Sequence, residues 1–109
     1  MTELITLKEI EEARAGLPPD IRWTPLVPFS RNSAEVGNER LHLKLENLQV
    51  TGAYKPRAAF HILGSLTPEE RARGVVMSSS GNFAQAFAYA GKRLGIPVVV
   101  VMMENMSPY

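Results

Sequence analysis

Between Gly74 and Met103 the chain carries the outline of a β–α–β unit, and this outline restricts the fold more than any other stretch. Val75, Val76 and Met77 form a short apolar run, which the Ser78-Ser79-Ser80-Gly81 turn interrupts. A helical pattern follows from about Asn82 to Leu94, with Gly95 as its stop signal. Ile96-Pro97 then leads into a second apolar run, Val98 to Met103. Its lack of polar alternation is expected of a parallel strand buried on both faces, and proline is tolerated where such a strand begins. The connection is long enough for a right-handed crossover. The fold class is therefore α/β, with helices laid on a parallel sheet.

Upstream, the signals are mostly local. Thr6-Leu7-Lys8-Glu9 reads as a capping box, and Leu7, Ile10 and Ala13 continue a short helix that Gly16 ends. Residues 17–30 hold four prolines and read as extended, irregular chain, with Trp23 as an apolar packing anchor. Arg31 to Arg40 is polar, with a turn at Gly37-Asn38. Leu41, Leu43 and Leu45 then alternate with His42, Lys44 and Glu46 in a strand-like pattern, which Thr51-Gly52 breaks. Pro56 is compatible only with a first helical turn, so Lys55 stands at the mouth of a helix. Ala58, Ala59, Ile62, Leu63 and Leu66 form its apolar stripe. Thr67-Pro68-Glu69-Glu70 opens another short helix, and Gly74 closes it.

Two positions carry chemistry. A lysine held by backbone on both sides, at a strand–turn–helix junction, can point into a cleft. Its neutral amine attacks carbonyls to form a Schiff base, and surroundings that depress its pKa raise the neutral fraction. Spacing alone fits a solvated surface lysine beside Arg57 better, since lysine is rarely buried. The Ser-Ser-Ser-Gly-Asn turn, running from a strand into a helix, gathers free amides and hydroxyls around a concavity suited to a carboxylate or phosphate. An ordinary helix start with Ser80 as its cap reads the same residues as well or better.

Composition removes several classes. A length of 109 residues allows one modest domain at most. The formal net charge of +1 implies no nucleic-acid or membrane field, and the absence of cysteine excludes disulfides and thiolate chemistry. The apolar residues near the N-terminus are interrupted by acids and bases, unlike an export signal, and Val98 to Met103 is too short to span a bilayer. A cytoplasmic location is the expectation. The glycine pattern G-x-G-x-x-G of nucleotide-binding folds is absent, and His42 and His61 are too few for a catalytic metal site.

Three blocks in order resemble the fold-type II pyridoxal phosphate enzymes, which include threonine and serine dehydratases, serine racemase and threonine synthase. Thr24-Pro25-Leu26 is similar to an early T-P-L. Lys44, Glu46, Gln49, Thr51, Gly52, Ala53, Tyr54, Lys55, Arg57 and Ala59 follow the family's lysine motif, and Ser78 to Ala86 resembles its S-x-G-N-(H/F)-A-Q loop. The resemblance implies a partial three-layer αβα parallel sheet of tryptophan synthase beta-like architecture. It implies pyridoxal 5'-phosphate as cofactor, bound covalently by Lys55, with Tyr54 beside the ring and Asn82 bonded to the ring 3′-oxygen. The substrate carboxylate falls to Ser79, Ser80, Gly81, Asn82, Phe83 and Gln85. Glu46 and Gln49 brace the lysine turn. Lys55 is the implied general base, and Ser80, at a position where racemase-like members use serine on the opposite face, is a second catalytic candidate.

The implied activity is ammonia-lyase chemistry, β-elimination from threonine or serine to a 2-oxo acid and ammonia. A serine or hydroxyaspartate racemase/dehydratase is the alternative, and a non-catalytic α/β anion-binding module is a third reading from another class. Partners implied are a small amino-acid substrate and further copies of the chain, as dimer or tetramer. Glu104 and Ser107-Pro108-Tyr109 fall within a family stretch beyond which the glycine-rich phosphate cup and the partner of the pyridine nitrogen would lie, so the chain is expected to be an inactive fragment. Residues 1–45 would belong with the larger domain and 46–109 would begin the smaller one, including the β–α–β unit at 74–103.

Overall fold

The structure is a computed structural model that describes residues 4–29 and 41–105. The turn expected at Gly37-Asn38 and the Ser107-Pro108-Tyr109 stretch lie outside the described residues. Helix α1 spans Leu7–Ala15 and begins as its capping box requires: the Glu9 amide donates to the Thr6 hydroxyl, and the Glu9 carboxylate accepts from the Thr6 amide at 2.7 Å. None of its residues is buried, so its apolar positions form no core.

Strand β1, Leu26–Pro28, pairs antiparallel with β2, His42–Lys44, in the register Leu26 to Lys44. This corrects the irregular reading of residues 17–30. Both strands are three residues long and largely exposed, so the leucine alternation at 41–45 marks pairing more than burial. Trp23 is also corrected: it is 78% exposed rather than packed.

Beyond β2 come two single-turn 3₁₀ segments, Glu46–Leu48 and Val50–Gly52, and then helix α2, Pro56–Gly64, with Pro56 in its first turn. Its buried residues are Pro56, Ala59, Phe60 and Leu63, whereas Ala58 and Ile62 face outward. The inward stripe is therefore displaced towards Phe60 from the one anticipated. Helix α3, Pro68–Arg73, starts with the Thr67–Glu70 capping box.

The β–α–β unit forms as its pattern indicates. Strand β3 (Val75–Ser78) and strand β4 (Val98–Val101) pair in parallel, Val75 opposite Val98, joined through helix α4 (Asn82–Leu94). Gly95 ends α4 in the left-handed conformation, at φ 68°. Gly91 lets the helix approach β4 closely: a Cβ there would collide with the Val98 side chain and come within 2.9 Å of the Ile96 carbonyl. Val75, Met77 and Val98 pack against a core of Ala59, Phe60, Leu63, Ala86, Phe87, Ala90 and Ile96. The outer face of the sheet is open in this chain, with Val76 74% and Val99 57% exposed, so burial on both faces is not realised here.

Candidate active site

Lys55 immediately precedes α2 and occupies its N-cap position. The chain reaches it through a tight reversal in which Thr51 (φ 64°) and Gly52 (φ 71°) are both left-handed. The reversal is held from below by polar contacts. Gln49, 2% exposed, accepts from the Arg22 and Val50 amides at 2.8 and 3.0 Å and donates to the Arg22 carbonyl at 2.9 Å. The Arg57 guanidinium makes a two-pronged bond to Glu46, both contacts 2.8 Å. Glu46 also accepts from the buried Thr24 hydroxyl, and Lys44 donates to the Thr24 carbonyl at 2.6 Å.

Glu46 therefore joins three segments: the T-P-L arm, the exit of β2 and the first turn of α2. The Arg57 hydrogen bonds, followed by that from Thr24 and the charges of Arg57 and Lys44, lower its pKa from 4.5 to about 2 against the opposing effect of burial. The bracing expected of Glu46 and Gln49 is present in these contacts. Arg22 is the member that residue spacing did not single out, because its contacts use mainly backbone atoms.

On the opposite side of Lys55 stands the start of α4. The Lys55 ammonium lies 5.9 Å from the centroid of the Phe83 ring, which meets Phe87 edge-on at 4.8 Å. Lys55 is half-buried, and its amine has no hydrogen-bond or ion-pair partner among the described residues. The lysine and the serine-glycine turn, separated by some two dozen residues of sequence, thus meet through Phe83. No spacing rule could have revealed that contact.

Within the turn, the Ser79 amide is committed to the sheet, donating to the Val101 carbonyl at 3.3 Å, and its hydroxyl remains for other partners. Ser80 is not the cap of α4. Gly81 holds that position and no side chain caps the helix, so the amides of its first turn are open to a ligand. Space above the turn is also open: a Cβ on Gly81 would meet no heavy atom within 4 Å. Ser80, Asn82 and Gln85 are exposed, and Tyr54, beside Lys55 in sequence, is 61% exposed.

Residues 17–109 match the family model of pyridoxal-phosphate dependent enzymes. The chain belongs to that family. Its members use pyridoxal phosphate, and the residues present fit the cofactor on their own chemistry: Lys55 carries an amine with no counter-anion among the described residues, beside Phe83 in the first turn of a helix whose leading amides have no side-chain cap. The chain is 41% identical over 102 residues to the catabolic L-threonine dehydratase TdcB of Staphylococcus aureus (strain N315), covering 94% of this chain and 30% of that protein. Serine racemase from Dictyostelium discoideum superposes with a TM-score of 0.87 at 40% identity, over 95% of this chain and 34% of the other. The processed form of threonine deaminase isoform 2 from Solanum lycopersicum gives 0.75 at 27% identity, over 94% and 30%. The chain thus spans about a third of the length of these relatives, and its fold is a portion of the fold-type II architecture. Among the described residues no group of three or more His, Asp or Glu could hold a metal ion, and no helix is long and apolar enough to cross a membrane.

Proposed function

We propose that this chain forms part of a pyridoxal-phosphate-dependent ammonia-lyase that converts threonine or serine to a 2-oxo acid and ammonia. The observation that carries the reading is the Lys55 amine, without a hydrogen-bond or ion-pair partner among the described residues, beside Phe83 just past the Ser79–Asn82 turn. When bound, the cofactor supplies an electron sink conjugated to the substrate α-carbon. Lys55 would hold it through Nζ, and Asn82 and Tyr54 would fix its ring. The turn hydroxyls of Ser79 and Ser80, the amides at Gly81 to Phe83 and the Gln85 side chain receive the substrate carboxylate. Lys55 Nζ is also the group that would take the proton from the substrate α-carbon. That proton would pass to the β-hydroxyl as the Cβ–O bond breaks, so that water leaves, and hydrolysis of the resulting enamine would yield the oxo acid and ammonia.

By itself the 109-residue chain is expected to turn nothing over, because it contains no glycine-rich phosphate cup. In the whole enzyme, residues 1–45 would pack with a larger domain and 46–109 with a smaller one, in a cytoplasmic homo-oligomer. Ser80 supports a second reading. Its exposed hydroxyl, beside Gly81 at the start of α4, would suit proton delivery to the face of the α-carbon opposite Lys55, as racemisation requires.

The test is spectroscopic. Pyridoxal phosphate added to a full-length protein carrying this segment should give a visible absorption band, and borohydride should then fix the label on the Lys55 peptide. Lys55→Ala should lose both. A label on a different lysine would refute the reading. Oxo-acid release from threonine, serine and threo-3-hydroxyaspartate separates substrates, and attachment without any release would favour racemisation.

A further inference from the structure

A cavity that includes neither Lys55 nor Phe83 lies between α1 and the proline-rich arm. It measures about 600 Å³, within the range of small-molecule sites, and Arg14, Arg22, Trp23, Arg57 and Glu11 line it. Three arginines and one glutamate are among its lining residues. Their commitments differ. Arg57 is held by Glu46, and Arg22 donates to the Leu48 carbonyl at 3.0 Å. Arg14 has no carboxylate or carbonyl partner among the described residues, and its guanidinium lies over the Trp23 ring, 4.0 Å from the centroid. A guanidinium stacked on an indole keeps its N–H edge free, and that edge matches a carboxylate or phosphate in two parallel hydrogen bonds. Stacking also removes much of the side-chain freedom that binding would otherwise have to restrict. The half-buried Leu17 and Ile21 add apolar wall beside the charged groups.

We propose that this cavity binds a small organic oxyanion, its charged end on the Arg14 edge and its apolar body against Leu17 and Ile21. The Lys44 ammonium, 6.0 Å from the Trp23 ring, adds to the positive field. The ligand chemistry is shared by phosphates and carboxylates. Nothing in the proposal depends on Lys55, so it stands or falls separately from the reaction proposed above.

Trp23 is the chain's one tryptophan, which makes the test direct. Its fluorescence would be followed in the 109-residue chain during titration with phenyl phosphate, benzoate and inorganic phosphate, with sodium chloride at matched ionic strength as control. A saturable change with phenyl phosphate or benzoate is expected, and whichever has the lower midpoint identifies the headgroup. Weaker binding of inorganic phosphate is expected because it lacks an apolar body. Arg14→Gln should raise the midpoint about tenfold, Arg14→Lys less, and Lys55→Ala should leave it unchanged. Should Arg14→Gln fail to fold by circular dichroism, Glu11→Gln provides the alternative, and its midpoint should fall about two- to threefold as the one repelling carboxylate is removed. Responses that rise linearly and match sodium chloride, or a midpoint indifferent to both Arg14 and Glu11, would overturn the proposal.

Discussion

The two sides of the lysine cleft are built from different materials. Lys55 is positioned by a polar brace in which Glu46, Gln49, Thr24 and Arg57 tie distant backbone segments together. The Asn82 turn is positioned by apolar packing, α4 lying on β3 and β4 with Gly91 permitting close approach and Phe60, Leu63 and Phe87 filling the space between helices. Packing resists changes of pH but is intolerant of lost volume. Hydrogen-bonded charge fixes direction better, and it fails when one partner is neutralised. Lys55 and the helix start beside it thus rest on supports of different kinds.

The largest expected effect breaks the apolar side. Leu63 is fully buried, and Leu63→Ala should destabilise the chain by about 2–5 kcal/mol. In urea the midpoint should fall with little change in slope. The mutation leaves every contact of Glu46 and Arg57 in place. If the loss were below about 1 kcal/mol, the core would be plastic and the contrast between the two sides would weaken.

The polar side should break less severely and with a different signature. Glu46→Gln keeps the shape but leaves the Arg57 guanidinium without its carboxylate. A loss of about 2 kcal/mol is expected, below that of a fully buried pair because Arg57 is about a third exposed. The wild-type chain has an acid-labile contribution from the same residue. Its folded pKa of about 2 lies below the ordinary 4.5, so the stabilisation is complete above pH 4.5 and is lost as pH falls towards 2. Glu46→Gln should flatten that part of the stability–pH curve, whereas Leu63→Ala should shift the curve without altering its slope. An unchanged acid slope in Glu46→Gln would show that Glu46 is not the group responsible.

The same division explains what could be read from the residues in advance. Both capping boxes, the bounds of α4 and the parallel pairing of β3 with β4 were legible because their signals are local or strongly periodic. Strand β1 was hidden by Pro25 and Pro28: its pairing with β2 depends on a segment some fifteen residues away, and proline ordinarily argues against a strand. Helix α2 has apolar residues at 58, 59, 60, 62 and 63, more than half its circumference, so its own period could not say which side would be buried. The approach of α4 decided it in favour of Phe60. Ser80 is a good cap by preference, yet Gly81 takes the position, leaving the serine hydroxyl uncommitted to the helix. Motif likeness placed Glu46 and Arg57 in one group, but their two-pronged contact is a tertiary fact.

The smallest expected effect tests whether the lysine turn is arranged for stability at all. Thr51 is the one non-glycine residue with positive φ among the described residues, and it is β-branched. Its hydroxyl is buried without a hydrogen-bond partner. Both features are unfavourable: the left-handed backbone opposes a branched side chain, and an unsatisfied hydroxyl loses its water for nothing in return. Thr51→Gly removes both, while giving back some stability through the greater freedom of glycine in the unfolded chain. The balance should favour the variant by about 1 kcal/mol, a rise of about 4–8 °C in Tm for a domain of this size. The gain should come without change in the acid slope, because Glu46 and Arg57 keep their contacts. A lower Tm would mean that the Thr51 methyl group contributes more by packing than its backbone and hydroxyl lose, and the apolar contribution would then extend across the cleft into the polar brace.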